Sequence, residues 1–145
     1  MFERILVAVD GSEGSKKALK LASKLQQTCG SEMMVLTVFR HHSLLEASMS
    51  MVRPDDPESM DDSMRAYAKE VAEEAKVIAA ECGAGKVRAF VKAGQPARTI
   101  VKFSEEHKAD LIIVGSRGQG DVQGFLLGSV SHKVTSLAST PVMVV

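Results

Sequence analysis

An excess of charge of either sign is missing from this sequence: 18 Lys and Arg residues balance 18 Asp and Glu residues over 145 positions. A general binder of nucleic acid or of acidic membranes carries a surplus of basic side chains, so the balance argues against both. No apolar run approaches the length of a membrane span. The first residues, Met1-Phe-Glu-Arg-Ile-Leu-Val, enter a strand pattern at once, without the organisation of a secretory signal. The two cysteines, Cys29 and Cys82, lie far apart and outside any pairing motif, which favours two structural thiols in a reducing cytoplasm over a disulfide or a metal site. Internal repeats, low-complexity tracts and linkers are also missing. The expectation is therefore one soluble domain, residues 1–145, with no nucleic-acid partner and no membrane insertion.

Short, nearly all-apolar runs alternate with helical periodicity. Ile5–Val9, Met33–Phe39 and Leu111–Val114 read as strands buried on both faces. Lys86–Val91 alternates and suits a position near an edge, and Pro141–Val145 begins with a proline, which cannot donate to a ladder and so fits a strand start. Between them, Ala18, Leu21, Ala22 and Leu25 fall at helical spacing ahead of a stop at Gly30. A long helix spans roughly 60–82, with an apolar stripe through Met64, Tyr67, Ala68, Val71, Ala75, Ile78 and Ala79. Pro96 opens another helix with Ala97, Ile100, Val101 and Ser104 inward, and a last one runs from about Ser129 to Ala138. Residues 40–58 lose all pattern; with His41, His42, Met49 and Met51 they read as a surface loop or an adaptable contact surface. Strand–helix alternation predicts an α/β fold, a five-stranded parallel doubly wound sheet in a three-layer α/β/α arrangement. Ligands bind such sheets beyond the carboxyl ends of the strands, where strand order reverses. Asp10-Gly-Ser12 and Gly115-Ser-Arg-Gly118 follow strands one and four, and would flank one crevice if those strands are neighbours.

The stretch Gly115 to Ser131 reads as strand, glycine-rich loop, helix, an arrangement that cradles anions: glycines let backbone approach, and a helix start offers free N–H groups. It is no Walker loop, since Gly-x-x-x-x-Gly-Lys-Ser/Thr is absent. The dinucleotide fingerprint fails as well: the first turn is Gly11-Ser-Glu-Gly14, and Gly118-Gln-Gly120 is followed by Gln123 where a third glycine belongs. What does fit is Gly115-x2-Gly118-x9-Gly128-Ser129.

That spacing, with Val7-Ala-Val-Asp10-Gly-Ser12 at the start and Ser139-Thr-Pro-Val-Met-Val-Val145 at the end, resembles the universal stress protein family over the whole chain, in its ATP-binding subgroup. The resemblance implies a Rossmann-like fold and ATP, with Mg, as the ligand. It implies that Ala8, Val9 and Asp10 line the adenosine side, with Asp10 near the ribose, and that Val38 meets adenine through its backbone. Gly115, Arg117 and Gly118 would wrap the inner phosphates; Gly128, Ser129, Val130 and Ser131 would hold the outer ones. Asp10 would approach a metal only through Mg-ATP. The resemblance further implies a homodimer through Pro141–Val145, with higher oligomers open, and the segment Arg40–Pro54 resembles relatives linked to osmolyte uptake, which adds a membrane transporter as a candidate partner.

Plainer roles stand beside each of these. Gly115 and Gly118 could serve a turn needing positive φ; Ser129 and Ser131 could be helix caps; Asp10 could cap the first helix; Arg117 could point to solvent. His132 and the lysines 16, 17, 20 and 24 read as solvated surface, and Gly120, Asp121 and Gly124 as spacers in the loop. Phosphoryl transfer needs a positioned nucleophile, a metal clamp and charge stabilisation. The sequence offers neither a P-loop lysine nor a second acidic metal ligand. The expectation is a cytoplasmic ATP-binding stress or regulatory protein rather than an efficient enzyme; the alternative is a slow ATPase or one that phosphorylates itself at Ser129 or Ser131.

Overall fold

The structure, a computed structural model, describes residues 1–40, 57–118 and 127–145, with side chains from residue 61 onward in the middle span. The readings made for His41, His42, Met49, Met51, Gly120, Asp121 and Gly124 fall outside the described residues. Five strands form one parallel sheet: β1 (Arg4–Ala8), β2 (Glu32–Phe39), β3 (Val87–Ala93), β4 (Leu111–Val114) and β5 (Val142–Val144), in the order β3-β2-β1-β4-β5. Four described helices connect them: α1 (Glu13–Cys29), α2 (Pro57–Glu81), α3 (Pro96–Glu106) and α4 (Ser129–Leu137).

The central strands are hydrophobic on both faces because both faces are covered. Ile5, Val7, Met33, Val35, Leu111 and Ile113 pack under α1 and α2, against Ala18, Leu19 and Ala22 of the first and Val71, Ala75 and Ala79 of the second. Leu6, Met34, Leu36, Ile112 and Val114 point the other way, onto Ala97, Ile100, Val101 and Phe103 of α3 and Val134 of α4. Each fully buried aliphatic side chain contributes roughly 1.5–3 kcal/mol of transfer free energy. Alanine on the inner faces of α1 and α2 keeps those helices close to the sheet. This is the three-layer α/β/α architecture expected.

The inner face of α1 differs by one step from the periodicity drawn above. Leu19 is buried and Leu21 is 37% exposed, so the buried face runs through Ala18, Leu19, Ala22, Ser23 and Gln26. Ser23 disguised that stripe: its hydroxyl returns to Leu19 O at 2.8 Å and so sits in the core satisfied. Tyr67, placed in the α2 stripe, is 53% exposed. Lys16 is not simply solvated, since its Nζ lies between Glu13 (3.6 Å) and Glu74 (3.9 Å), bridging α1 to α2. Gly30 ends α1 as expected, at φ 67° with its N–H on Gln26 O.

β1 pairs with β2 on one side and β4 on the other. The chain leaves β1 toward α1 and β2, and leaves β4 toward α4 and β5, so the order reverses between β1 and β4. The turns after these two strands therefore face each other across one crevice. No helix among the described residues is long and apolar enough to cross a membrane.

Candidate nucleotide site

At the carboxyl edge of β1, β2 and β4 lies a cavity of about 540 Å³, within the range of small-molecule sites. Its floor comes from the strand ends: Ala8, Val9 and Asp10 from β1, Thr37, Val38 and Phe39 from β2, Gly115 and Gly118 beyond β4. One wall is the start of α4, with Ser129, Val130 and Ser131; another is α2, with Met64, Tyr67, Ala68 and Val71; Pro96 and Ile100 of α3 complete the lining.

The turn after β1 is built by short-range hydrogen bonds. Asp10 Oδ1 accepts from Ser12 N at 2.9 Å and from the Ser12 hydroxyl. Ser12 in turn caps α1, its Oγ accepting from Ser15 N at 3.2 Å. Gly11, at φ 84°, lets the chain make this turn. Asp10 thus holds the residue that caps the helix while lining the cavity.

The glycine stretch is organised differently. A side chain at Gly115 would bring its Cβ to 2.7 Å from Gly14 C and 3.0 Å from Ser15 N, and one at Gly14 would meet Arg117 O at 2.5 Å. These two glycines let the start of α1 seat directly on the loop after β4. Gly115 does not have the positive φ that a turn role would have required. Gly128, at φ −75° and ψ 171°, is the N-cap of α4 and supplies no side-chain hydrogen bond to it. The first N–H groups of a helix have no partner within it; here they start at the cavity wall, where the dipole also favours negative charge.

Ser116 ties the two halves of the motif together. Its carbonyl accepts from Gly128 N and from the Ser131 hydroxyl, the latter at 2.9 Å, and its N–H donates to Val145 O at 2.7 Å. The Ser131 hydroxyl also reaches Gly128 O at 3.1 Å. Ser131 is therefore a donor to carbonyls, not an acceptor that caps α4.

Most of the sequence-predicted residues are brought together: Ala8, Val9, Asp10, Val38, Gly115, Gly118, Ser129, Val130 and Ser131 all line the cavity. Arg117 and Gly128 do not. Arg117 is exposed and Gly128 is buried behind the wall. The apolar wall of α2 and the buried Thr37 escape sequence reasoning. The stripe Met64–Val71 is legible as a helix face; that it also closes a cavity with the ends of β1 and β2 is not.

With this geometry in hand, the class is clear. The model of the universal stress protein family matches residues 1–145, and the chain belongs to that family. Among curated relatives, it is similar to universal stress protein YxiE of Bacillus subtilis, 37% identical over 149 residues, covering 100% of this chain and 99% of the relative. Among solved structures, the hypothetical protein MJ0577, whose biochemical function was assigned from its structure, superposes with a TM-score of 0.83 at 29% identity, covering 100% of this chain and 96% of that one. A universal stress protein in complex with cAMP has the same fold, with a TM-score of 0.72 at 24% identity over 99% of this chain and 96% of that one.

Proposed function

We propose that the protein binds ATP in this cavity and acts as a regulatory stress protein, nucleotide occupancy altering its contacts with a second copy or with another protein. The observation that carries the reading is the convergence on one cavity of the strand-end residues of β1 and β2, the paired Gly115–Gly118 turn and the start of α4 without a side-chain cap. The apolar part suits a base and the α4 end suits phosphate. The neighbour bound to cAMP supports an adenine nucleotide as the ligand of this fold.

In this reading Ala8, Val9 and Val38 face the adenosine, Asp10 the ribose, Gly115 and Gly118 the inner phosphates, and the N–H groups of Ser129, Val130 and Ser131 the outer ones. Arg117 closes on the phosphates from the surface, and Gly128 contributes by leaving the helix start uncapped. Magnesium would travel with the triphosphate, held mainly by phosphate oxygens. Asp10 is the only carboxylate among the described lining residues, and its Oδ1 already holds Ser12. The site supplies cradling rather than a general base, which favours regulation over turnover. The β5 edge, half-buried along Val142–Val144, offers unpaired backbone to a second subunit. A membrane transporter as the regulated partner rests on the resemblance of residues 40–54.

Denaturing freshly purified protein and chromatographing the released nucleotide tests this. ATP at near one per subunit is the expected result. Absence of nucleotide, together with no thermal shift on adding Mg-ATP, would sink the reading; steady release of ADP, abolished by Asp10→Ala, would replace regulation with catalysis.

A further inference from the structure

One polar atom beside the cavity has no partner, and it is itself shielded from solvent. Thr37 lines the cavity and is 4% exposed, and its Oγ1 is the one buried side-chain oxygen or nitrogen among the described residues without a hydrogen bond. Buried hydroxyls are almost always paired, and an orphan costs free energy that a native structure ordinarily avoids. On this strand Met33 and Val35 face the α1 and α2 layer and Leu36 faces the other. By alternation Thr37 projects toward α2, where Ala68 and Val71 lie beside it in the lining. The elements assigned to phosphate belong to β4 and α4, not to β2.

Resting on the reading that the cavity holds an adenine nucleotide, we infer that Thr37 is a specificity-determining contact whose hydroxyl hydrogen-bonds the polar edge of the base. A hydroxyl both donates and accepts. It can therefore serve a ring nitrogen or an exocyclic amine, and rotation about χ1 exchanges it with the methyl group to face the ligand. The flat faces of the base are covered by the apolar lining, and Thr37 adds a polar partner beside the backbone of Val38. The orphan of the free protein is thereby satisfied in the complex.

The test is Thr37→Val, which keeps shape and removes the hydroxyl, with Thr37→Ser as rescue. Titration calorimetry with ATP, AMP and their 2′-deoxy forms should show the valine variant losing about tenfold in affinity for all four alike, since leaving a buried polar group of the ligand unpaired costs that much, and the serine variant recovering most of it. The melting temperature of nucleotide-free Thr37→Val should not fall, because no bond is lost. Unchanged affinity in the valine variant, with wild type binding normally, overturns this inference and leaves the proposed function standing. Wild type that binds none of the four overturns both. A loss confined to ATP and its deoxy form would put the contact at phosphate, and a loss confined to the ribonucleotides would put it at the 2′-hydroxyl; either overturns the contact to the base. A fall in the melting temperature would show the hydroxyl already paired in the free protein, and would overturn that contact as well.

Discussion

The two edges of the sheet are finished in opposite ways. At the amino edge, polar groups are closed off against neighbouring elements. Asp110 accepts from Glu3 N at 2.8 Å and Arg4 N at 3.0 Å, while Asp110 N returns to Arg4 O. The Ser31 hydroxyl donates to Phe2 O. Gln26 bonds Lys86 O and Gly85 N with the two ends of one amide, and Glu32 lies between Arg4 and Arg88. At the carboxyl edge, a helix start without a side-chain cap and an orphaned hydroxyl border the cavity instead. The first edge commits its side chains to holding the strands in register. The second leaves part of its hydrogen-bonding capacity unused, at the start of α4 and at Thr37, as the proposed nucleotide site requires.

The contrast can be broken most severely at the contact where it depends on backbone. Gly115→Val should destabilise by about 1–3 kcal/mol or more through overpacking against the Gly14 backbone, read as a lower urea midpoint, and should abolish nucleotide binding. If stability were untouched, the seating of α1 on the β4 loop would be wrong. Ligand should act on the open edge alone: Mg-ATP at a hundred times its dissociation constant should raise unfolding free energy by about 2.7 kcal/mol, and hydrogen exchange should slow at residues 128–131 more than at the strand starts.

At the closed edge, Asp110→Ala should cost roughly 1 kcal/mol without changing ATP affinity. Burial alone would raise the Asp110 carboxyl, but the N–H groups of Glu3, Arg4 and Asp110 itself, with the chain-terminal amine, hold it below its ordinary 3.8. A depressed pKa stabilises the fold above the unfolded value. That contribution is lost as pH falls below 3.8 toward the folded value, and the variant should show a flatter acid limb in denaturation followed between neutral pH and that range. The smallest effect is expected from Gly128→Ser. A serine N-cap should add a few tenths of a kcal/mol to the free protein and weaken ATP, because its hydroxyl would compete for the N–H groups meant for phosphate.

Much of this is legible in the sequence because burial on both faces writes a plain signal. The runs at Ile5 and Leu111 are apolar without interruption and that at Met33 is broken only by Thr37, and each is a central strand. The glycine spacing is legible too, but its physics is not. Gly115 reads as a phosphate glycine, yet the nearest obstacle to a side chain there is Gly14, a residue from the far end of the chain whose own role cannot be seen without the fold. Ser131 reads as a cap or a ligand, and its hydroxyl proves to be committed to Ser116, since one-dimensional spacing does not say which carbonyl comes near. Thr37 looks like one more β-branched residue in a strand. Only the hydrogen bonds made in three dimensions separate a threonine that fills space from one that waits for a partner.

The carbonyl of Ser116, by accepting from Gly128 N and Ser131 Oγ, brings the departure and the return of the intervening chain to one point. The length of what lies between is thereby uncoupled from the positions of the strands and of α4. The free energy of closing a loop rises only slowly with length, by about 0.6 kcal/mol per doubling. An insertion there is a mild perturbation of the fold, so evolution or an engineer could lengthen the segment, or graft a reporter into it, while the turn after β4 and the start of α4 keep their places.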